Sequence, residues 1–185
     1  MSEPDVRSAR RADLQPLGDA FGEHRFFAER YARQKKQQGV LFVAWLGGHL
    51  VGDVYLWLEE AEEEPIRKHL PGVALLTHLE VRPDRRGKGI GTSIVERLEQ
   101  HLRELGRDRV ALAVRTDNPD AARLYERLGY RDWGRGLVIC HAEVTQPNGL
   151  VTLEEEKCHV LVKDLTVLAP SLAAPSLAAP SLATA

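Results

Sequence analysis

The sequence predicts an α/β protein built on a mixed sheet, and three observations carry that reading. Two apolar runs, Leu41 to Leu46 and Leu50 to Leu58, flank Gly47-Gly48-His49, the pattern of a tight turn joining antiparallel strands. A strand, helix, strand, helix order then runs from Val73 to Gly129, and a full helix between two strands requires them to lie parallel or nearly so. With 185 residues, 43% hydrophobic and 28% charged, the chain has the length and composition of one folded domain with a real core.

The elements follow in order. A short strand is expected near Val6 to Ala9, then a helix opening near Asp13, whose carboxylate is suited to cap free N–H groups, and a second helix from Arg25 to Lys36. After the hairpin, "EEAEEEPIRKHL" reads as a loop or short helix closed by Pro71-Gly72. Val73 to Val81 reads as a strand. Ile90, Ile94, Val95, Leu98, Leu102 and Leu105 recur at spacings of mostly three and four, so a helix with one buried face is expected there, stopped by Gly106. Val110 to Val114 is the next strand. Asn118 caps the following helix with Pro119 at its first position, and Gly129 ends it. Cys158 to Val162 reads as a closing strand.

Composition excludes several classes. Twenty-five Lys and Arg stand against 27 Asp and Glu, a formal charge of -2, which provides no global attraction to nucleic acid or anionic membrane. Cys140 and Cys158 lie in no CxxC or Cys/His spacing, so no metal site is expected. The start, "MSEPDVRSARRAD", has no apolar stretch behind it, and a cytoplasmic location without membrane attachment is the expectation. From Thr166 to Ala185 no residue is charged and "APSLA" occurs three times. A proline every fifth residue interrupts the helix that hydrocarbon requires, so 166–185 reads as a low-complexity appendage to a domain of residues 1–165.

The most informative segment is Arg85-Arg86-Gly87-Lys88-Gly89-Ile90-Gly91, between a strand and the strongest amphipathic helix. Alternate glycines remove side chains from a tight turn and leave backbone N–H groups around one concavity at the positive end of a helix. Arg82, Arg85, Arg86 and Lys88 add local positive charge, which suits a polyphosphate. No Gly-Lys-Ser/Thr follows, so nucleotide hydrolysis has no motif, and two antiparallel strands precede the turn, unlike a dinucleotide fold. RNA binding lacks interleaved aromatics.

"LEVRPDRRGKGIG" resembles the acyl-CoA signature of the GNAT superfamily of acyltransferases, matching on Arg86, Gly89 and Gly91. "NPDAARLYERLGY" resembles the second block of that family, on Asn118, Ala121, Leu124, Tyr125, Gly129 and Tyr130, and "CHVLVKDL" its closing strand. The resemblance covers about residues 4 to 165. It implies a mixed sheet splayed at its centre and flanked by helices, with the pantetheine arm of acetyl-CoA lying in the cleft. It also implies binding at Val81 and along the backbone of Arg86, Gly87, Lys88, Gly89, Ile90 and Gly91. Thr92 is placed either to add a hydroxyl there or to bond the local backbone, and Asn118 to cap its helix, to order the loop beside the arm, or both.

The implied activity is N-acetyltransfer from acetyl-CoA to a primary amine, by direct attack through a tetrahedral intermediate. Tyr125 matches the family position that acts as general acid toward the departing thiolate, the alternative being a packing aromatic. Glu80 and His78, two residues apart on the candidate strand, are the bases considered, beside a water chain with no dedicated base. Phe26, Phe27 and Tyr31 read as core or as pocket lining, and Trp45, Trp57 and Trp133 as strand or core residues. The glutamates 59, 60, 62, 63 and 64 form an acidic patch that is either a solvated loop or a guide for a cationic acceptor. A small cationic amine is favoured. A protein N-terminus or lysine, and a non-catalytic acyl-CoA-binding module, are the alternatives, and a homodimer through the region 130–163 stays open.

Overall fold

The computed structural model of the chain describes residues 3–145 and 150–165. The tail of 166–185 lies outside the described residues. Among the described residues seven strands form one sheet: β1 (Asp5–Ser8), β2 (Gly39–Leu46), β3 (His49–Trp57), β4 (Ala74–Val81), β5 (Arg109–Arg115), β6 (Arg131–Thr145) and β7 (Val151–Asp164), in the order β1-β2-β3-β4-β5-β7-β6. The α-helices of the described residues are α1 (Leu14–Phe21), α2 (His24–Lys35), α3 (Glu64–His69), α4 (Ile90–Glu104) and α5 (Pro119–Arg127).

All neighbouring strands are antiparallel except β4 and β5, which run parallel as their connection through α4 requires. These two pair only at Ala74 with Val110 and Leu75 with Ala111, after which they separate. The sheet is therefore mixed and splayed at its centre, the architecture of the family resembled. Two cores fill its two faces. Phe42, Val54, Leu56, Leu76 and Leu112 meet the buried stripe Ile90, Ile94, Val95, Leu98 and Leu102 of α4 on one face, while Leu17 and Phe27 of α1 and α2 join Leu41, Val43 and Val160 on the other. Burial of that α4 stripe is what makes the helix stable, since propensity alone contributes little.

The hairpin turn is as the sequence predicts, with Gly47 and Gly48 at φ 57° and 80°, values that a turn matched to strand twist needs and that only glycine adopts without strain. Asn118 Oδ1 accepts the amide of Ala121 at 3.2 Å, so it caps α5. Three expectations are corrected. Asp13 does not cap α1; its carboxylate turns back to the Arg10 amide at 2.6 Å and to the Arg7 guanidinium, because a 3-10 turn (Arg11–Asp13) intervenes. Leu105 is 48% exposed, since the helix ends at Glu104 before Leu105 turns inward. The closing strand is longer than its apolar run and lies between β5 and β6, with β6 at the sheet edge. The acidic segment resolves into α3 with Pro65 in its first turn. Among the described residues no helix is long and apolar enough to cross a membrane.

Candidate active site

The separation of β4 from β5 leaves the β5-facing edge of β4 without a strand partner from Leu76 to Val81. An unpaired edge of N–H and C=O groups inside a cleft is a template for an extended chain. One end of the cleft is closed by the glycine-rich turn, the other side by α5. The space, about 450 Å³, is lined by Glu80, Val81, Arg86, Gly89, Thr92 and Tyr125, together with Gly87, Ile90, Gly91, Asn118 and further residues of α5.

Local geometry explains the turn. Gly87 and Gly89 stand at φ 72° and 79°, in the left-handed region, and nothing lies within 4 Å of where a Cβ would be. The glycines are there for conformation. Gly91 instead packs against α5, a Cβ there meeting Leu124 Cδ2 at 3.4 Å. Among the described residues no acceptor takes the amides of residues 87 to 92, and the first helical carbonyl bond returns from Ser93 to Gly89 at 3.0 Å. Such a row of free N–H groups at the N-terminus of a fifteen-residue helix is an oxyanion cradle.

The remaining predicted ligands divide. Arg86 lines the cleft while its Nε donates to the Val81 carbonyl at 3.0 Å, which ties the turn to the end of β4. Lys88 is not among the lining residues, and its ammonium donates to the Asp84 carbonyl at 3.1 Å. It is Ser93 rather than Thr92 whose hydroxyl bonds the local backbone, at Gly89. Arg85, Asp120 and Arg127 also line the cleft; no motif singled out the two on α5.

Tyr125 is 5% exposed and faces the cleft from α5, with its ring edge-on to Tyr130 at 5.5 Å. Its hydroxyl has no hydrogen-bond partner among the described residues, and burial pushes the phenol well above its usual range. It therefore remains protonated at neutral pH.

His78 and Glu80 do come together, through a device the sequence hides. Asp53 pairs with Glu80 and Tyr55 with Thr77, so two residues of β4, His78 and Leu79, oppose Val54 alone. This is a β-bulge, and His78 occupies φ 52°, a strained conformation for a residue with a Cβ. The bulge turns the imidazole toward Glu80, at 3.8 Å, and Glu23, at 3.2 Å, with the Phe26 ring tilted against it at 4.1 Å between centroids. Burial, with help from the Arg30 charge, lowers the imidazole from 6.5 to about 4. Burial raises the Glu80 carboxyl, against the opposing pull of Arg86.

Sequence reasoning missed two members of this group. Asp53 on β3 is fully buried, neither of its carboxylate oxygens has a hydrogen bond among the described residues, and Oδ1 lies 3.6 Å from His78 Nε2. Burial first, then Glu80 and Glu23, holds it well above the usual carboxylate range. Glu23 enters from the α1–α2 junction. Their signal was faint: one acid inside the apolar run "HLVGDVYLW", and one beside Gly22. Glu23, His78 and Glu80 present one ligand atom each, all within 4.8 Å of one another, so a group in which no metal spacing is legible can hold a cation.

The acidic patch stands elsewhere. Glu59 is bound by Arg33 and by Gln38 at 2.9 Å, and Glu62 and Glu63 line a separate cleft of about 190 Å³ with Arg30 and His141. Phe27 is core, Phe26 covers His78, and Tyr31 packs at the edge of the α1–α2 core. Trp57 and Trp133 are strand residues whose indoles donate to Glu60 and Gly136 carbonyls, and Trp45 is half-buried on β2.

Known proteins share the fold. Residues 6–130 match the model of the acetyltransferase (GNAT) family. An N-acetyltransferase of Methanocaldococcus jannaschii is 28% identical over 143 residues, covering 69% of this chain and 60% of that protein, so the chain spans less than two thirds of that relative. The ribosomal-protein-S18-alanine N-acetyltransferase of Escherichia coli superposes with a TM-score of 0.63 at 18% identity, over 91% of this chain and 98% of that one. A phosphinothricin acetyltransferase from Sinorhizobium meliloti, solved in complex with acetyl-CoA, superposes at 0.64 and 18% identity, over 95% and 97%. These two likenesses show the fold, and the family model covers more than half of the chain. With a sheet that parts at β4 and β5 and a free-amide turn opening α4, the chain belongs to the GNAT family of acetyltransferases.

Proposed function

We propose that the chain transfers the acetyl group of acetyl-CoA to a primary amine of a small cationic molecule, by direct attack through a tetrahedral intermediate. One observation carries the reading: the cleft joins an unpaired strand edge, a cradle of free amides and a buried phenol in a single space. The pantetheine arm is extended and amide-bearing, so it suits the β4 edge near Val81. The diphosphate suits the amides of residues 87 to 92, with Arg85 and Arg86 beside them. Asn118 orders the α5 end of the cleft.

The chemistry needs three proton movements: the acceptor ammonium gives up one, the attacking nitrogen gives up a second, and the departing thiolate gains one. Glu80 lines the cleft and takes the proton from the acceptor ammonium, with His78 behind it as the second candidate base. The free amine attacks the thioester carbon, the C–N bond forms, and the carbonyl electrons move onto oxygen. When they return, the C–S bond breaks, the newly bonded nitrogen releases its second proton to solvent, and the CoA thiolate takes the Tyr125 hydroxyl proton, which solvent later restores. Holding both reactants in one cleft supplies much of the acceleration.

The direct test is release of free thiol from acetyl-CoA by purified protein with separate pools of polyamines, aminoglycosides, amino acids and peptides. Release with a small-amine pool supports the reading, and release with peptides alone would move it to a protein acceptor. Binding of acetyl-CoA without release in any pool would leave an acyl-CoA-binding module. A chain that binds no acetyl-CoA would overturn it. The outer edge of β6, which has no strand partner among the described residues, supports a homodimer as the assembly, and a cytoplasmic location is proposed with it.

A further inference from the structure

We propose that the acceptor is held as its ammonium by Glu23 and Glu80, backed by His78 and Asp53, and that this arrangement selects primary amines without a carboxylate on the carbon bearing the nitrogen. The proposal rests on the acetyl-transfer reading, since it names the class of amine that site takes.

Three separate parts of the chain build the nest: Glu23 ahead of α2, Asp53 within β3, and His78 with Glu80 on the β4 bulge. Their polar atoms converge, with His78 Nε2 at 3.2 Å from Glu23, 3.6 Å from Asp53 and 3.8 Å from Glu80. No hydrogen bond satisfies that nitrogen or either Asp53 oxygen among the described residues. A fully buried carboxyl with no donor lowers stability unless it serves a site, and the positive φ of His78 adds strain at the same place. The chain departs from local rules twice within one cluster, as functional sites do.

The charge of the nest fits one organic cation. Glu23 and Glu80 are the partly exposed acids, 46% and 35%. Burial and its acidic neighbours raise the Asp53 carboxyl well above the usual carboxylate range, and burial with the Arg30 charge lowers the imidazole to about 4. Arg30 of α2 is the cation facing His78, itself packed over Phe26, Tyr55 and Trp57. Arg86 faces Glu80 from the diphosphate side. The acids facing Arg30 are Glu62 and Glu29, so Glu23 and Glu80 against Arg86 leave one negative charge for a monocation. The half-buried Phe26 ring, already faced by His78 and the Arg30 guanidinium, adds an apolar wall that suits a carbon chain better than a bare metal ion. An α-amino acid would bring its own carboxylate against Glu23 and Glu80, a like-charge contact that discriminates strongly.

Three matched probes test this: n-butylamine, norvaline, which is the same chain with an α-carboxylate, and norvaline amide, which removes that charge. Binding is read from the His78 imidazole nitrogen resonances of labelled protein carrying CoA, and thiol release from acetyl-CoA is followed in parallel. The expected result is saturable binding of n-butylamine, binding of norvaline weaker by about tenfold or more, and recovery with the amide. Glu23→Gln should weaken n-butylamine about fivefold and shrink the norvaline penalty. Glu23 is exposed, so that variant keeps the test open if Asp53→Asn fails to fold. Equal binding of norvaline and n-butylamine, no change in Glu23→Gln, or zinc binding that excludes n-butylamine overturns the proposal. Thiol release at equal rates with norvaline and n-butylamine removes this selectivity while leaving acetyl transfer standing. Selective amine binding without thiol release does the reverse.

Discussion

Lys163 of β7 donates two hydrogen bonds to the carboxylate of Glu99 on α4, at 2.8 and 2.7 Å, across 64 positions of sequence. Glu99 is 3% exposed, so the pair is a buried ionic tie between the helix that opens the cleft and the strand that backs β5. Lys163→Ala leaves Glu99 with the Arg103 guanidinium at 3.4 Å and the Tyr130 phenol beside it, and should destabilise the chain by about 3 kcal/mol. Urea unfolding checks this, with the midpoint falling and the slope unchanged.

Tyr125→Phe keeps the ring against Tyr130 and removes the proposed proton donor. The expected outcome is a fall of about a hundredfold in turnover with little change in acetyl-CoA affinity, measured by thiol release and by calorimetry. Unchanged turnover would return Tyr125 to a packing role.

Glu80→Gln and His78→Gln separate the two candidate bases. Activity of the parent should rise with pH as the Glu80 carboxyl, raised by burial, loses its proton. The imidazole, at about 4, is already neutral over the working range and contributes no rise near neutrality. Glu80→Gln should therefore lower the rate and flatten the acid side of the profile. His78→Gln should keep that shape, and a profile flattened by His78→Gln instead would exchange the roles.

Gly89→Ala and Gly52→Ala fail for different reasons. At Gly89 a methyl meets nothing, and only the left-handed φ opposes it, about 1–2 kcal/mol, together with weaker acetyl-CoA binding as the cradle distorts. At Gly52 the methyl would lie 2.8 Å from the Glu80 carbonyl and 2.9 Å from Ile94 Cδ1, so β3 and β4 must part beside the acceptor nest. Thermal melts with and without acetyl-CoA distinguish them: the ligand-induced rise in Tm should shrink more in Gly89→Ala than in Gly52→Ala.

The turn after β1 predicts acid lability. Burial pushes the Asp13 carboxyl up, but two Arg7 bonds at 2.8 and 2.9 Å and the Arg10 amide outweigh it and hold the group below 3.8. A carboxyl depressed in the folded state stabilises above its unfolded value, and that contribution fades as pH falls through and below it. The Tm difference between the parent and Asp13→Asn should be constant above about pH 5 and shrink below about pH 4.

Much of this was legible in the sequence because it depends on neighbours in the chain. The Gly47-Gly48 turn, the apolar stripe of α4, the Asn118-Pro119 start of α5 and the glycines ahead of Ile90 each announce themselves within a few residues. What was hidden depends on register. Asp53 lies in a strand that reads as continuously apolar, and it acquires meaning only because β3 sets it opposite Glu80. The strained backbone of His78 has no glycine to mark it. Glu23 reaches the site because α2 packs across β2, a contact fixed by core side chains such as Phe27. Asp13 misled because a cap and a backward-reaching carboxylate share one residue type.

The divergence of β4 from β5 after Leu75 has a mechanical consequence. Two residue pairs are all that join the halves of the sheet along that seam, so a pantetheine arm bonded to the β4 edge would act as a missing slat between them. The cosubstrate is then part of the scaffold as well as the chemistry. The chain should be at its loosest in the interval after free CoA departs, and acetyl-CoA supply would govern its resistance to unfolding and proteolysis as well as its rate.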